Sequence, residues 1–448
     1  MRLSFFRKSA AVAVLLSLVI AFLPLSSAKA ASYDPGFDIN SQAAYLVNLD
    51  SGTVIYTKNP DQKMYPASFV KIMTVMLVLQ NETDLQKKLT MSYEIRDELY
   101  GTGASNVDLR PEEEITVEDL LYACMLPSAC DAAAVLAEHY GGGNQAAFIE
   151  KMNEKAKELG ANSTHFVNAH GLHDDNQYTT ASDMYIITKA ALETPGFETI
   201  ATTVRYTMKA TNKHPEERTY SHTNLMINSA IGGEYYYPYA KGIKTGTTDE
   251  SGKKLVTMAS KDGFNYLLIT MGAPLQVDGV RDNYAILDHR KLYQWAFNEF
   301  KFKSVLKKTD IIHTIHVELS TDTDTLQLVP KEDVTLLLPG DVDISSVQQL
   351  VTASETVDAP VTKGTVLGTV ELKLNNETIG SCELVAGTDV SQSPWLVAGR
   401  VAGNIVSSIW FKIAIGAIIL LILFYIAVTI LYNHKMKKKK IIRKKRRY

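Results

Sequence analysis

Residues 65–74 read Tyr65-Pro66-Ala67-Ser68-Phe69-Val70-Lys71-Ile72-Met73-Thr74, and they lead into the apolar run Ile72 to Leu79. A run of that length predicts a buried helix. In a helix, positions i and i+3 share a face, so the Lys71 amine can reach the Ser68 hydroxyl. That pairing suits a serine nucleophile with a lysine base. A hydroxyl is a weak nucleophile, and a lysine takes its proton only where burial and a neighbouring cation depress the amine's pKa. The pattern alone carries little, because Ser-x-x-Lys recurs here at Ser26, Ser251 and Ser304. Taken singly, each reads as a helix start followed by a surface lysine.

Further along, Lys244-Thr245-Gly246 follows Gly242-Ile243 and precedes Thr247-Thr248, with Lys254-Leu255-Val256-Thr257-Met258-Ala259 beyond. This reads as strand, turn, strand. A lysine on an edge strand beside a cleft offers a fixed cation for a carboxylate, and Gly246 lets another backbone approach. Ser128-Ala129-Cys130-Asp131 interrupts the long helical stretch Val117 to Tyr140, and Pro127 marks a break where a loop could present Ser128.

Around these motifs, residues 31–302 mix two periodicities. Strands Tyr45-Leu46-Val47 and Val54-Ile55-Tyr56 flank the turn Asp50-Ser51-Gly52, and helical segments follow, which predicts an α/β (α+β) domain of enzyme size. Residues 303–397 change to short alternating segments: Ile315/Val317/Leu319, Leu326/Leu328, Val334/Leu336/Leu338 and Val370/Leu372/Leu374 before Asn375-Asn376. They predict a small all-β domain. Cys124, Cys130 and Cys382 are too few for a disulfide framework. Cys124 and Cys130, six apart on one expected helix, would point to different faces.

The two ends are apolar and basic. Residues 1–30 read as a secretory signal, with Arg2, Arg7 and Lys8, an apolar stretch from Ala10 to Leu25, and the small-residue site Ala28-Lys29-Ala30. Near the other end, residues 405–432 hold an expected transmembrane anchor whose uncharged core, Ile413 to Leu431, is long enough for a hydrocarbon layer of roughly 30 Å. Trp410 and Tyr432 flank it, and residues 433–448 form a basic tail expected on the cytoplasmic side. The last fourteen residues carry ten Lys or Arg and the first thirty carry four; without them the net charge of −3 becomes −17 for residues 31–434. An acidic body has no footprint for nucleic acid. The expectation is a single-pass protein of the cell membrane, its catalytic body outside the cytoplasm.

Taken together, the order and spacing of the three motifs resemble the set shared by penicillin-binding proteins and serine β-lactamases: Ser-x-x-Lys, Ser-x-Asn, then Lys-Thr-Gly. Local context is similar to the low-molecular-mass D-alanyl-D-alanine carboxypeptidases, in residues 65–74, Ala104-Ser105-Asn106-Val107-Asp108-Leu109, Leu126-Pro127-Ser128-Ala129-Cys130-Asp131-Ala132-Ala133, His165-Phe166-Val167-Asn168-Ala169-His170-Gly171-Leu172 and Gly242 to Gly246. The resemblance runs from about Gln42 to Met271. The β-rich segment around Val366-Leu367-Gly368-Thr369-Val370 looks like that family's C-terminal domain. The resemblance implies Ser68 as nucleophile, Lys71 as base and Ser128 as proton relay. It implies Lys244, Thr245 and Gly246 at the substrate carboxylate, and the N–H groups of Ser68 and Thr247 as an oxyanion hole. Implied partners are peptidoglycan stem peptides ending in D-Ala-D-Ala and β-lactam antibiotics as covalent inhibitors. No metal or organic cofactor is expected.

One departure stands out: Cys130 occupies the position where the family most often has Asn. An amide both donates and accepts, while a thiol does both weakly, so Cys130 bears on turnover and on the balance between hydrolysis and transfer. The alternatives are a DD-transpeptidase and a catalytically weak, membrane-tethered scaffold that binds cell-wall stems. A β-lactamase would need a carboxylate for its deacylating water, and the stretch Thr164 to Leu172 supplies none.

Overall fold

The computed structural model describes residues 33–249 and 252–445. The signal read at residues 1–30 and the last residues of the basic tail lie outside them. By compactness the chain divides into two units, one running to Lys303 and taking in Leu336–Asp343, the other comprising Ser304–Thr335 and Ile344 onward.

In the first unit, β1 (Ala43–Asn48) turns at Asp50-Ser51-Gly52 into β2 (Val54–Lys58). The Asn48 carbonyl and carboxamide oxygens receive the N–H groups of Gly52 and Ser51, each at 2.9 Å. Among the helices that follow are α1 (Val70–Asn81), α2 (Tyr93–Leu99), α3 (Val117–Met125), α4 (Cys130–Tyr140), α5 (Gln145–Leu159) and α6 (Ala181–Leu192). Then come β3 (Ala240–Thr248), β4 (Gly252–Lys261), β5 (Phe264–Ala273) and α7 (Tyr284–Glu299). The five strands form one antiparallel sheet in the order β2-β1-β5-β4-β3, so Lys244-Thr245-Gly246 lies on an edge strand.

Both faces of the sheet are covered. Phe69, Ile72 and Met76 pack with Ile243, Val256, Leu267 and Ile269 on one side. On the other, Ile286, Leu292 and Tyr293 of α7 pack with Leu46, Leu255 and Leu268. Helix α1 is the pivot: Val70 to Val78 are all buried, because its apolar residues run round the whole helix instead of forming one stripe.

The expected helix from Val117 to Tyr140 is two helices. α3 ends at Met125, α4 starts at Cys130, and Ser128 between them has φ +67, a conformation no helix accepts. Cys124 and Cys130 therefore sit on different helices, both buried and free.

The second unit holds β6 (His313–Glu318), β7 (Thr325–Pro330), β8 (Gln348–Ala353), β9 (Thr356–Asp358), β10 (Val366–Leu374) and β11 (Glu377–Ala386), in the order β8-β10-β11-β7-β6-β9. Alternation buries Leu326 and Leu328 of β7 and Val370 and Leu372 of β10. The β10–β11 turn places Asn375 and Asn376 at φ 52 and 67, as a tight hairpin requires. Of the alternating segments read as all-β, Leu336–Asp343 groups with the first unit, and its Leu337 enters that unit's core beside α7. Beyond the sheet, α8 (Pro394–Ser407) and α9 (Ile409–Lys445) are parted by Ser408, which is extended. Residues 405–407 thus belong to α8. Ile409–Met436 is long and apolar enough to cross a membrane.

Candidate active site

Ser68 lies in the single 3-10 turn Ala67–Phe69 that leads into α1, which puts Lys71 in the first turn of that helix. The Lys71 Nζ stands 3.3 Å from Ser68 Oγ and 3.5 Å from Cys130 Sγ, and it donates to the His170 carbonyl. From the break between α3 and α4, Ser128 Oγ reaches Ser68 Oγ at 2.8 Å. Four residues singled out from the sequence thus form one hydrogen-bonded group.

Thr245, Gly246 and Thr247 border the same cleft, of roughly 260 Å³, together with Ser68 and Ser128. A Cβ on Gly246 would stand 3.4 Å from Ala67 Cβ and 3.6 Å from Ser68 N, so the edge strand runs close against the nucleophile's turn. Lys244 is fully buried, and its amine donates to the Thr245 carbonyl at 3.1 Å. Burial and the nearby Lys71 charge push it down to about 7.

The strand leading to Lys244 is pinned from outside the sheet. His222 Nε2 lies 3.2 Å from the Ile243 carbonyl, His222 Nδ1 accepts from Asn224 N–H, and Asn224 Nδ2 donates to the Gly242 carbonyl at 2.7 Å. Burial first, then Lys244, pushes His222 down to about 3, so this clamp is a neutral imidazole.

The segment Asn168 to Leu172 is tied to α1 and to the turn that holds Ser68. Thr74 Oγ1 donates to the Ala169 carbonyl at 2.8 Å, while Lys71 donates to that of His170. Gly171 has φ +85, and a Cβ there would fall 2.1 Å from the Ala67 carbonyl oxygen. Asp131 acts similarly on the opposite wall: its carboxylate accepts from Val107 and Leu109 N–H, and Cys130 N–H donates to the Ser105 carbonyl at 2.7 Å. These contacts explain why the stretches 104–109 and 165–172 accompany the three motifs.

Sequence reasoning missed Ser105, Thr223 and Lys253, which also line the cleft. Thr223 Oγ1 is 2.6 Å from Thr245 Oγ1. Isolated Ser, Thr and Lys residues carry no spacing signal, and only the neighbouring strand register could have pointed to Lys253. Among the described residues, no group of three or more His, Cys, Asp or Glu is placed to hold a metal ion.

A nucleophile, an adjacent amine and an opposing hydroxyl beside an edge strand are what acyl transfer needs. The family described as D-alanyl-D-alanine carboxypeptidase matches residues 27–275, more than half of the chain. The chain belongs to that family. It is accordingly a serine-type peptidase, and residues 300–392 match the C-terminal domain of penicillin-binding protein 5. It is 28% identical over 360 residues to D-alanyl-D-alanine carboxypeptidase DacF of Bacillus subtilis, covering 80% of this chain and 87% of that one. Penicillin-binding protein 5 from Haemophilus influenzae is similar in structure, with a TM-score of 0.61 at 27% identity, over 80% of this chain and 99% of that one. The Streptomyces K15 DD-transpeptidase superposes with a TM-score of 0.53 at 31% identity, over 58% of this chain and 98% of that one. The fold is thus a penicillin-binding-protein-5-like catalytic domain followed by an all-β domain.

Proposed function

We propose that this family member removes the terminal D-alanine from peptidoglycan stem peptides ending in D-Ala-D-Ala, through an acyl-enzyme on Ser68, and that penicillins acylate the same oxygen. The observation that carries this reading is the Ser128–Ser68–Lys71 group beside Thr245.

The Lys71 amine accepts the Ser68 proton as Oγ attacks the carbonyl carbon of the penultimate D-alanine. The N–H groups of Ser68 and Thr247 take the charge that develops on the oxygen. Ser128 passes its proton to the leaving nitrogen and is resupplied from Lys71, so free D-alanine departs and an ester remains. Water then attacks the ester, giving its proton to Lys71, and Ser68 recovers its hydroxyl. Thr245 receives the terminal carboxylate, with Lys244 behind it and Gly246 leaving the backbone room to approach. Cys130 holds the Lys71 amine in line.

The candidate span Ile409–Met436, followed by basic residues, supports a membrane anchor with the catalytic body outside and the tail in the cytoplasm. Protease added to intact cells should remove the body and spare the tail.

The deciding experiment is incubation of the purified protein with a stem pentapeptide, scored for free D-alanine, beside labelling by a fluorescent penicillin. Labelling with release supports the carboxypeptidase. Labelling without release, with product appearing only on addition of an acceptor amine, would make it a transpeptidase. Absence of both would make it a scaffold.

A further inference from the structure

His170 holds Lys71 through its carbonyl, and its imidazole is held in turn by an acid that belongs to none of the three motifs. His170 Nε2 lies 3.2 Å from Glu98 Oε1, while Nδ1 accepts from the Leu172 N–H at 3.2 Å. With Nδ1 an acceptor, the ring proton of the neutral imidazole stands on Nε2 and is donated to Glu98. The ring is buried, and burial lowers its pKa against the opposing pull of Glu98, so it is neutral near pH 7. Local structure places the acid. Ser92 caps α2, its Oγ accepting from Ile95 N–H, and Ile95 is fully buried. Glu98 stands three residues on, on the same helix face, so the anchoring of Ile95 turns Glu98 toward the body of the unit. Its second oxygen accepts from Nε2 of Gln145, the first residue of α5, at 2.7 Å. The His170 bond lowers the Glu98 pKa, and a hydrogen bond to an ionised carboxylate is stronger than one between neutral groups. Among the described residues, Glu98 makes no hydrogen bond to Ser68, Lys71 or Ser128.

We infer that Glu98 is a positioning residue for the base: through the His170 imidazole it fixes the peptide whose carbonyl holds the Lys71 amine 3.3 Å from Ser68 Oγ. This rests on the reading of Lys71 as base given above. The His170 carbonyl is followed by Gly171 at φ +85, where the backbone has little preference of its own, so side chains must set the direction of that carbonyl. Asn168 Oδ1 does so from within the segment, accepting the Gly171 N–H at 2.7 Å. Glu98 does so from seventy-two residues away, and so ties the segment to α2 and α5. Without that tie the amine is less often aligned with Ser68, which slows proton transfer. Substrate binding is spared, because the Thr245 side of the cleft is untouched.

The test uses the full chain in detergent as wild type, Glu98→Ala, Glu98→Gln, His170→Ala and the double variant Glu98→Ala/His170→Ala, each assayed well below its own unfolding temperature. The readouts are D-alanine release from a pentapeptide ending in D-Ala-D-Ala and the rate of acylation by a fluorescent penicillin. Glu98→Ala is expected to lower kcat and the acylation rate roughly five- to tenfold, with KM within about twofold. His170→Ala keeps the carbonyl and loses the tie, so it should cost the same, and the double variant no more than either. Glu98→Gln, whose amide oxygen still accepts from Nε2, should return both rates to within about twofold of wild type. An unchanged rate in Glu98→Ala, a loss confined to KM, losses that multiply in the double variant, or a Glu98→Gln as slow as Glu98→Ala overturns the inference. A wild type that labels with penicillin but frees no D-alanine refutes the carboxypeptidase reading alone, since acylation needs the same base and the labelling rates still decide the role of Glu98. A wild type that does not label removes the base, and the inference with it.

Discussion

Ser128 and Ser68 meet oxygen to oxygen at 2.8 Å although sixty residues separate them, and Ser128 does so from a backbone held at φ +67. A residue with a Cβ in that conformation costs on the order of 1 kcal/mol or more. The tertiary structure bears this strain where it aims a hydroxyl at the nucleophile. Ser128→Gly is therefore expected to raise stability by about 1 kcal/mol while slowing penicillin acylation roughly 10²- to 10⁴-fold, the usual worth of a positioned proton donor. Thermal unfolding and the rate of labelling measure the two effects; a stable variant that labels at the wild-type rate would remove Ser128 from the chemistry.

Ser68→Ala should abolish both labelling and D-alanine release, because Ser68 Oγ is the hydroxyl that both Lys71 and Ser128 contact. Lys71→Ala should do nearly the same. Retained labelling in Ser68→Ala that disappears on replacing Cys130 would identify the thiol as the nucleophile.

Cys130→Asn keeps a hydrogen-bonding side chain near Lys71 and adds donors. Labelling should persist, and breakdown of the acyl-enzyme should change by no more than about tenfold, the worth of one hydrogen bond of roughly 0.5–1.5 kcal/mol. Release of label over time after removing free penicillin reads this directly.

The pH profile should show the burial of Lys244. Its pKa is depressed from the ordinary lysine value to about 7 by burial and then by Lys71. Above about pH 7 Lys244 loses the charge that stands behind the terminal carboxylate, so kcat/KM should fall through that region. Lys244→Arg, which stays charged, should move or remove that limb. For stability the sign is as follows: between about 7 and the ordinary lysine value the unfolded chain binds a proton the folded one lacks, so stability rises with pH across that window. A kcat/KM that rises through pH 7 would contradict the assignment.

Gly171→Ala places a Cβ 2.1 Å from the Ala67 carbonyl at a backbone angle of φ +85. The turn holding Ser68 must shift. The expected loss is roughly 1–3 kcal/mol of stability, with labelling slowed further than the lower stability alone explains. Differential scanning fluorimetry and labelling at a temperature where the variant is folded separate the two.

Much of the fold could be read because its signals are short in range. The burial of α1 follows from an apolar run, the Ser68–Lys71 pairing from helix geometry, and the edge hairpin of Lys244 from a strand, a turn and a strand. The helix break was marked by Pro127. Its positive φ at Ser128, and with it the separation of Cys124 from Cys130, was not, because nothing within a few residues requires it. Leu336 to Asp343 alternates like its neighbours, yet groups with the first unit, since alternation tells that a strand is half-buried and not which core it enters.

The sequence by itself determined the residue types, the local elements and the order of the motifs, because helix and strand periodicities are set by backbone geometry over a few residues. Only the tertiary structure decided that the His170 carbonyl, ninety-nine residues from Lys71, would receive its amine, that Thr223 would meet Thr245, and that Lys253 would stand beside Thr247. Contacts of that separation depend on packing both faces of one sheet at once, and no short window of sequence contains that constraint.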